Sequence, residues 1–402
     1  MGRSKIAAID LFSCSVLYLS IPMDSSVSTL LVSQLPLERE DQKDHGDSFL
    51  HPPFMQKESS VPKNFIWPKG DLVVAHDELR EPIVDLGGFF RGDLVATQHV
   101  VLLIRAACLN RGFFQVTNHG VDPRLVKMAY HHMDNFFKLP ASMKLRAKRT
   151  PGNMWGYSGA HADRFSSKLP WKETLSFGFH DSGSKPVVED FFKSNLGMDF
   201  EQTGVVYQKY CEAMKDVALA IMELLAISLG VHPLHYKHFF QDGSSIMRCN
   251  YYPPCKEPGL AFGTGPHCDP TSLTILHQDQ VGGLEVFANN KWRNVRPRPD
   301  ALVVNIGDTF MALSNGRYKS CLHRAVVNRY KERRSLAFFL CPREDKLVRP
   351  PEDLVCRDGT SAYPVFTWSD LLYFTQYHYR ADDATLPNFT KWLLSSKSAS
   401  DL

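Results

Sequence analysis

Two histidines and an aspartate are the residues of this chain whose types and spacing most clearly suggest chemistry. His267 and Asp269 are two residues apart, and His323 lies much further along the chain. Two imidazoles and one carboxylate can bind one face of an octahedral metal and leave three positions open, which suits ferrous iron in oxygen-activating enzymes. The His-x-Asp spacing predicts an extended segment, because residues i and i+2 of a strand point to the same side. His323 must then arrive from another strand.

An arginine and a serine extend this set. Arg333 and Ser335 follow His323 and are also two residues apart. A guanidinium binds a carboxylate through two parallel hydrogen bonds, and a hydroxyl two residues along a strand faces the same way. Iron with open positions beside such a group suits a dicarboxylate that chelates the metal at its other end, and 2-oxoglutarate fits that description. A His-x-Asp pair alone arises by chance in a chain with 16 histidines, so the metal hypothesis depends on the whole set.

The elements that must position these residues change in character along the chain. Apolar residues at helical spacing predict helices over 93–110 and 200–229, Asp122 is a predicted helix N-cap, and Thr367 is predicted to open a closing helix. From about residue 246 onward, short β-rich runs alternate with turn residues, which is typical of a sandwich or barrel. Short strands are predicted over 82–86, 112–116, 246–252, 272–277, 284–287, 302–306, 309–313 and 335–340.

Composition excludes several classes of protein. The net charge of +3 is small against 46 basic and 43 acidic residues, so nothing predicts a nucleic-acid or membrane-surface partner. Nine cysteines without a CxxC pair argue against a disulfide framework and a zinc ribbon. Reduced thiols and a cytoplasmic location are therefore expected.

The amino-terminal segment contains an apolar run over 11–22 that follows two basic residues. Serines interrupt the run, Asp10 borders it, and no small-x-small cleavage site follows, which disfavours a signal peptide. It is also too short to span a membrane. We interpret residues 1–22 as an upstream extension, with Met23 as an alternative start, and residues 1–62 as a flexible extension.

Three further segments carry a family resemblance. They are Asn250–Cys255 (NYYPPC), Leu169–Thr174 (LPWKET), and the run from Asn305 to Ser320 that contains NIGD and LSNGRYKS. The chain resembles plant 2-oxoglutarate/Fe(II)-dependent dioxygenases, and within them the gibberellin 20-oxidases. The resemblance covers about residues 60–395.

The resemblance implies a fold, cofactors and site residues. The expected fold is mainly β with flanking helices, with a double-stranded β-helix (jelly-roll) core over 236–345, a helical N-terminal subdomain over 63–235 and a C-terminal segment with a closing helix over 346–402. Iron, 2-oxoglutarate and O2 are expected, with ascorbate as activator. The implied iron ligands are His267, Asp269 and His323, the cosubstrate residues are Asn250, Tyr252, Arg333 and Ser335, and the candidate substrate residues are Trp171, Lys172 and Glu173.

The implied function is oxidation of gibberellin intermediates at carbon 20 by a monomer whose partner is a small diterpenoid acid, with Lys172 facing a substrate carboxylate. Lys172 and Glu173 can equally form a solvated charge pair. A related dioxygenase acting on another hormone or a flavonoid is the nearest alternative function. A zinc hydrolase with the same three ligands and a non-catalytic hormone-binding jelly roll are the others. The hydrolase has no use for Arg333 and Ser335, and a binding protein has no need of the complete ligand set.

Overall fold

The computed structural model describes residues 60–150, 152–181, 183 and 185–400. All of them lie in one compact unit. The predicted extension over 1–22, and residues 1–59 of the longer one, lie outside the described residues. Within the described part, no helix is both long enough and apolar enough to cross a bilayer.

Strands supply most of the framework around the predicted site. In chain order they are β1 Asp77–Glu78, β2 Ile83–Asp85, β3 Phe113–Thr117, β4 Gly156–Gly159, β5 Glu173–Phe179, β6 Ser245–Tyr252, β7 Phe262–His267, β8 Leu273–Gln278, β9 Leu284–Ala288, β10 Lys291–Asn294, β11 Leu302–Ile306, β12 His323–Val326, β13 Arg333–Leu340, β14 Leu347–Val348 and β15 Phe366–Thr367.

Helices flank the strands, and most of them precede β6 in the sequence. They are α1 Gly87–Phe90, α2 Leu94–Asn110, α3 Pro123–Lys138, α4 Ala141–Lys144, α5 Val187–Leu196, α6 Glu201–Leu229, α7 His235–Gln241, α8 Asp308–Leu313, α9 Glu352–Asp358, α10 Trp368–Tyr377 and α11 Thr385–Ser400. Short 3-10 turns occur at Lys63–Phe65, Leu145–Ala147 and Met198–Phe200.

Two sheets among the described strands form the core. The larger has the order β2-β3-β11-β8-β13-β6-β5-β4, and the smaller has the order β1-β10-β9-β12-β7. Apolar residues of both sheets, such as Val286 of the smaller and Leu336 of the larger, belong to one continuous buried cluster. This arrangement confirms the jelly-roll core with flanking helices.

Local sequence explains the main helices. Helix α3 begins after Asp122, whose side chain accepts a hydrogen bond from the backbone N–H of Arg124. Helix α6 packs against the large sheet and ends at Gly230, which adopts a left-handed conformation with φ of 67°. A residue with a Cβ is strained in that conformation, so glycine ends the helix here. Thr367 and Asp370 form the predicted capping box of α10.

One predicted strand is wrong. The segment 309–313 lies in helix α8, where the N–H of Met311 bonds to the carbonyl of Gly307 and the N–H of Ser314 bonds to that of Phe310. A five-residue apolar run is compatible with either a buried strand or a buried helix turn, so its periodicity does not distinguish them.

The LPWKET segment falls within the predicted helical subdomain over 63–235, but part of it is a strand. Its last two residues begin β5, which pairs with β6 in the large sheet, with Thr174 opposite Asn250. Strands β2 to β5 all precede residue 235 and all join that sheet. The N-terminal region therefore contributes directly to the wall of the site.

Candidate active site

The three predicted metal ligands converge at one edge of the small sheet. His267 is the last residue of β7 and His323 is the first of β12, and the two are directly paired across these antiparallel strands. Asp269 follows His267 two residues later. Their nearest ligand atoms all lie within 4.8 Å of one another.

Hydrogen bonds fix how the two imidazoles face the carboxylate. Nδ1 of His267 lies 2.9 Å from the carbonyl of Gly265, and Nδ1 of His323 lies 3.0 Å from that of Cys321. A carbonyl only accepts, so each Nδ1 carries the proton in the neutral ring and each Nε2 presents a lone pair. These Nε2 atoms lie 3.4 Å and 3.8 Å from the carboxylate oxygens of Asp269.

The protonation states of His323 and Asp269 favour the same arrangement. Burial, reinforced by His267, lowers the pKa of His323 to about 4, so this ring is neutral at pH 7. Burial disfavours ionisation of Asp269, but the His323 and His267 rings and a 2.6 Å hydrogen bond from the Thr274 hydroxyl outweigh it and hold the pKa of this carboxyl below its usual range. Two imidazole nitrogens and one carboxylate thus face one another, a donor set that fits a bound cation such as Fe(II).

The predicted carboxylate-binding residues lie on the large sheet. Strands β13 and β6 pair so that Arg333 is opposite Tyr252 and Ser335 is opposite Asn250. The Asn250 amide lies 3.4 Å from the Ser335 hydroxyl, and the Arg333 guanidinium lies 4.9 Å from the centre of the Tyr252 ring. The pairing therefore brings together all four predicted cosubstrate residues.

Arg333 is buried and incompletely satisfied. It is 2% exposed, and its Nη2 donates to the Gln278 side chain at 3.1 Å. Its Nε has no acceptor among the described residues. A buried guanidinium with an unused donor is costly unless an anion completes its hydrogen bonds, so the site fits a carboxylate of 2-oxoglutarate.

Both groups of residues open into one pocket between the sheets, here called the central pocket. Its wall includes the three candidate metal ligands, Arg333 and Ser335. Apolar side chains cover much of the remainder, among them Met154, Phe165, Ile246, Leu276, Phe339, Trp368 and Leu372. Such a wall excludes water and accepts a largely apolar substrate.

The three candidate substrate residues occupy different places. Lys172 lines the central pocket. Trp171 is not part of its wall: it is 2% exposed and packs edge-on against Phe65, in a separate apolar cluster. Glu173 points away from the pocket, and its carboxylate lies 2.7 Å from the Lys144 ammonium. Successive residues of an extended chain face opposite sides, so Lys172 and Glu173 cannot share one environment.

Arg248 and His161 are among the pocket residues that were not predicted from the sequence. Arg248 precedes Asn250 by two residues and Tyr252 by four, so the alternation of β6 places all three on one face. That spacing was a usable signal. His161 also lines the central pocket, from a loop where it adopts a φ of 52°, and no pattern in the sequence indicates this.

Comparisons with known proteins agree with this site. The chain matches the model of the 2OG-Fe(II) oxygenase superfamily over residues 243–342 and that of the non-haem dioxygenase in morphine synthesis N-terminal region over 82–197. Gibberellin 20 oxidase 2 of Oryza sativa subsp. indica is 59% identical over 340 residues, covering 84% of this chain and 87% of the relative. Gibberellin 20 oxidase 3 of Arabidopsis thaliana is 51% identical over 379 residues, covering 92% and 100%.

Solved structures show the same architecture. The crystal structure of JOX2 in complex with 2OG, Fe and JA superimposes with a TM-score of 0.72 at 32% sequence identity, covering 83% of this chain and 95% of that one. The two-sheet core and its helices are therefore shared with a protein that holds iron and 2-oxoglutarate.

Proposed function

The chain belongs to the 2-oxoglutarate/Fe(II) oxygenase superfamily and, within it, to the gibberellin 20-oxidase family, and on that premise we propose that it oxidises gibberellin intermediates at carbon 20 in several steps. The observation that carries this proposal is the convergence in one pocket of three candidate metal-ligand atoms within 4.8 Å of one another and a buried Arg333 with an unsatisfied donor. Relatives that bear the gibberellin 20-oxidase name support the choice of substrate.

The enzyme uses Fe(II), 2-oxoglutarate and O2, with ascorbate as activator. We assign the metal to His267, Asp269 and His323. Bound iron supplies the redox chemistry that couples decarboxylation of 2-oxoglutarate to oxidation of a substrate C–H bond.

The side chains of the protein have positioning roles in this scheme. The carbonyls of Gly265 and Cys321 hold the two imidazoles with Nε2 toward the metal position. The Thr274 hydroxyl holds one oxygen of Asp269. Arg333, oriented by Gln278, binds the carboxylate of 2-oxoglutarate that is remote from the metal. Ser335, Asn250 and Tyr252 lie beside Arg333 and complete the proposed cosubstrate site.

A direct assay tests the proposal. Purified protein is incubated with Fe(II), ascorbate, 2-oxoglutarate and a twenty-carbon gibberellin, and products are read by mass spectrometry. We expect successive oxidation products at carbon 20 with stoichiometric succinate. Replacement of His267, Asp269 or His323 by alanine should remove most bound iron and nearly all turnover. Near-normal activity in any one of these variants contradicts the ligand assignment.

The nearest alternative is a related oxygenase that acts on another hormone or on a flavonoid. A substrate panel decides between them, since the alternative predicts that a flavonoid or a different hormone is oxidised faster than the gibberellin. Family membership excludes the zinc hydrolase and the non-catalytic binding protein as descriptions of this chain.

We also propose a cytoplasmic monomer. The eight cysteines described by the structure are all free thiols, which supports a reducing compartment. Light scattering after size exclusion and imaging of a fluorescent fusion test the two statements separately.

A further inference from the structure

Positive charge dominates the central pocket. Among the described residues that line it, Asp269 is the only carboxylate, and it is assigned to the metal. The basic side chains in the wall, histidines aside, are Arg164, Lys172, Arg248, Arg324, Arg333 and Arg380. Arg324 is neutralised by Glu285 at 2.6 Å. The other five basic side chains outnumber the single carboxylate of the wall.

Iron and cosubstrate do not remove this excess. A divalent iron, the Asp269 carboxylate, doubly charged 2-oxoglutarate and the Arg333 guanidinium together carry no net charge. The remaining basic residues are therefore left over after the reaction centre is complete. Uncompensated charge on buried side chains is unfavourable, so a further anion is expected there.

Arg248 has the most suitable position for that anion. It lies on the pocket face of β6, two residues before Asn250, and is paired across the sheet with Ala337. At about 3.4 Å per residue it is roughly 7 Å along the strand from the Asn250 position. The Arg333–Tyr252 pair is two residues further on, roughly 14 Å from Arg248. Arg248 and Arg333 therefore lie at separate positions along one wall of the pocket.

The contacts of Arg248 leave most of its guanidinium unused. Its Nε donates to the Ser176 hydroxyl at 3.0 Å, and its Cζ lies 5.3 Å from the centre of the Phe339 ring. No ion pair with a carboxylate is found for it among the described residues. Burial, with Arg149 and Arg164 nearby, lowers its pKa to about 10, so it remains charged at pH 7 in surroundings that oppose the charge.

Two more hydrogen-bond donors line the same pocket. Lys172 is 5% exposed, and its ammonium lies 3.4 Å from the Asn250 side-chain oxygen and 5.8 Å from the centre of the Tyr252 ring. Nδ1 of His161 lies 3.3 Å from a guanidinium nitrogen of Arg149, which can only donate. His161 therefore carries its proton on Nε2, and this buried N–H has no acceptor among the described residues.

We propose that Arg248, Lys172 and His161 form an acid subsite that binds a carboxylate of the primary substrate, separate from the arginine that binds 2-oxoglutarate. This inference rests on the proposed function, since it specifies how a diterpenoid acid is held. The next residue of β6 on the same face is Ile246, paired with Phe339, and both line the pocket. The acid subsite therefore borders an apolar wall, as an amphiphilic acid requires.

Binding of an acid and its ester tests the subsite without turnover. The anaerobic Fe(II)–2-oxoglutarate enzyme is titrated by calorimetry with a twenty-carbon gibberellin acid and with its fully methylated ester. In the wild type we expect the acid to bind at least about 30-fold more tightly than the ester. Arg248→Gln should lose a similar factor for the acid and little for the ester. Arg248→Lys should recover part of the loss, because a point charge replaces the planar group.

Arg343→Gln is the matched control. Arg343 lies on the surface in ion pairs with Asp242 and Asp345 and has no part in the pocket. The Arg343→Gln variant should bind acid and ester as the wild type does. Thermal unfolding of each variant monitors the fold, and the acid–ester ratio in the wild type keeps the test valid even when Arg248→Gln does not fold.

Three results overturn the subsite. They are equal affinity of the wild type for acid and ester, equal loss of both ligands in Arg248→Gln, and a raised KM for 2-oxoglutarate with unchanged affinity for the acid. The proposed function fails differently: the wild type then prefers acid over ester but yields no product oxidised at carbon 20. Oxidation at carbon 20 without any acid preference leaves the function standing and removes the subsite.

Discussion

Two lysines near the start of β5 are both buried, and their surroundings are opposite in charge. The Lys144 ammonium lies 2.7 Å from the Glu173 carboxylate and also donates to the carbonyl of Phe137. Tyr157 donates to the same carboxylate. Lys172 is adjacent to Glu173 in the chain but faces the central pocket, where burial, Arg248, Arg149 and Arg333 hold its pKa well below the usual range.

The difference teaches how to separate structural charges from functional ones. Lys144 has its counter-charge within the protein, at the Glu173 carboxylate. Lys172 has mostly neighbours of the same sign, and Asp269 is the one acidic residue among the described wall residues, so a ligand anion would supply the counter-charge. Buried polar groups are normally satisfied, and one that is not satisfied and also lines a cavity identifies a binding site better than charge alone does.

Breaking the internal pair should have the largest effect. Lys144→Met leaves the Glu173 carboxylate buried without a partner, and such losses typically cost about 3–5 kcal/mol of the free energy of unfolding. Urea unfolding measures this. The Lys144→Met/Glu173→Gln double variant should recover much of the loss. A loss below about 1 kcal/mol in the single variant would show that the pair is dispensable.

Trp171→Ala tests the residue on the other side of Lys172. Because Trp171 packs in a closed apolar cluster, its truncation should lower the free energy of unfolding by about 3–5 kcal/mol. The KM for gibberellin, measured well below the melting temperature, should stay near that of the wild type. A stable variant that forms succinate without matching substrate oxidation would instead make Trp171 a substrate-positioning residue.

Arg333→Ala should reverse that pattern, with a large functional loss and little loss of stability. Removing one partner of a buried charge pair costs about 2–5 kcal/mol, or roughly 30- to 4,000-fold in affinity. The KM for 2-oxoglutarate should rise by a factor in this range while iron content stays close to wild type. Arg333→Lys should recover only part of it. An unchanged KM would place the carboxylate-binding residue elsewhere.

The effect of Lys172→Met on stability should be smaller than the effects above and opposite in sign. Removing a buried cation from beside Arg248 and Arg333 should raise the free energy of unfolding by about 1 kcal/mol. The KM for the gibberellin acid should rise by about tenfold, and that for 2-oxoglutarate should change little. Loss of stability, measured by urea unfolding, would mean that Lys172 is structural.

The pH dependence of stability gives the finest test. In the unfolded chain Lys172 titrates near its ordinary pKa of about 10.4, whereas in the fold burial and Arg248, Arg149 and Arg333, only partly offset by Asp269, depress it. Between the two pKa values the unfolded state binds the extra proton, so stability rises with pH, by at most about 1.4 kcal/mol per pH unit. Lys172→Met should lack this contribution. Parallel pH profiles for the two proteins would contradict it.

The sequence predicted which residues converge in the pocket better than it predicted their surroundings. The pairs His267/Asp269 and Arg333/Ser335 could be proposed because each has strand spacing and residue types suited to one ligand. His323 was added because its type completes the metal-ligand set. The contrast between Lys172 and Glu173 could not, because the LPWKET segment carries no periodicity from which to infer a strand and its facing. His161 depends on a loop whose backbone conformation is set by tertiary contacts, which no local pattern encodes.

The placement of the two ligand groups on different sheets has a thermodynamic consequence. His267 and His323 belong to the small sheet and Arg333 belongs to the large one. Under the proposed assignment, 2-oxoglutarate contacts both the metal and Arg333, so its affinity depends on whether iron is present. Such linkage is reciprocal: the factor by which iron strengthens cosubstrate binding equals the factor by which the cosubstrate retains iron. Depletion of 2-oxoglutarate would therefore release metal as well as stop turnover. A shortage of either iron or 2-oxoglutarate would lower the amount of both that the enzyme binds.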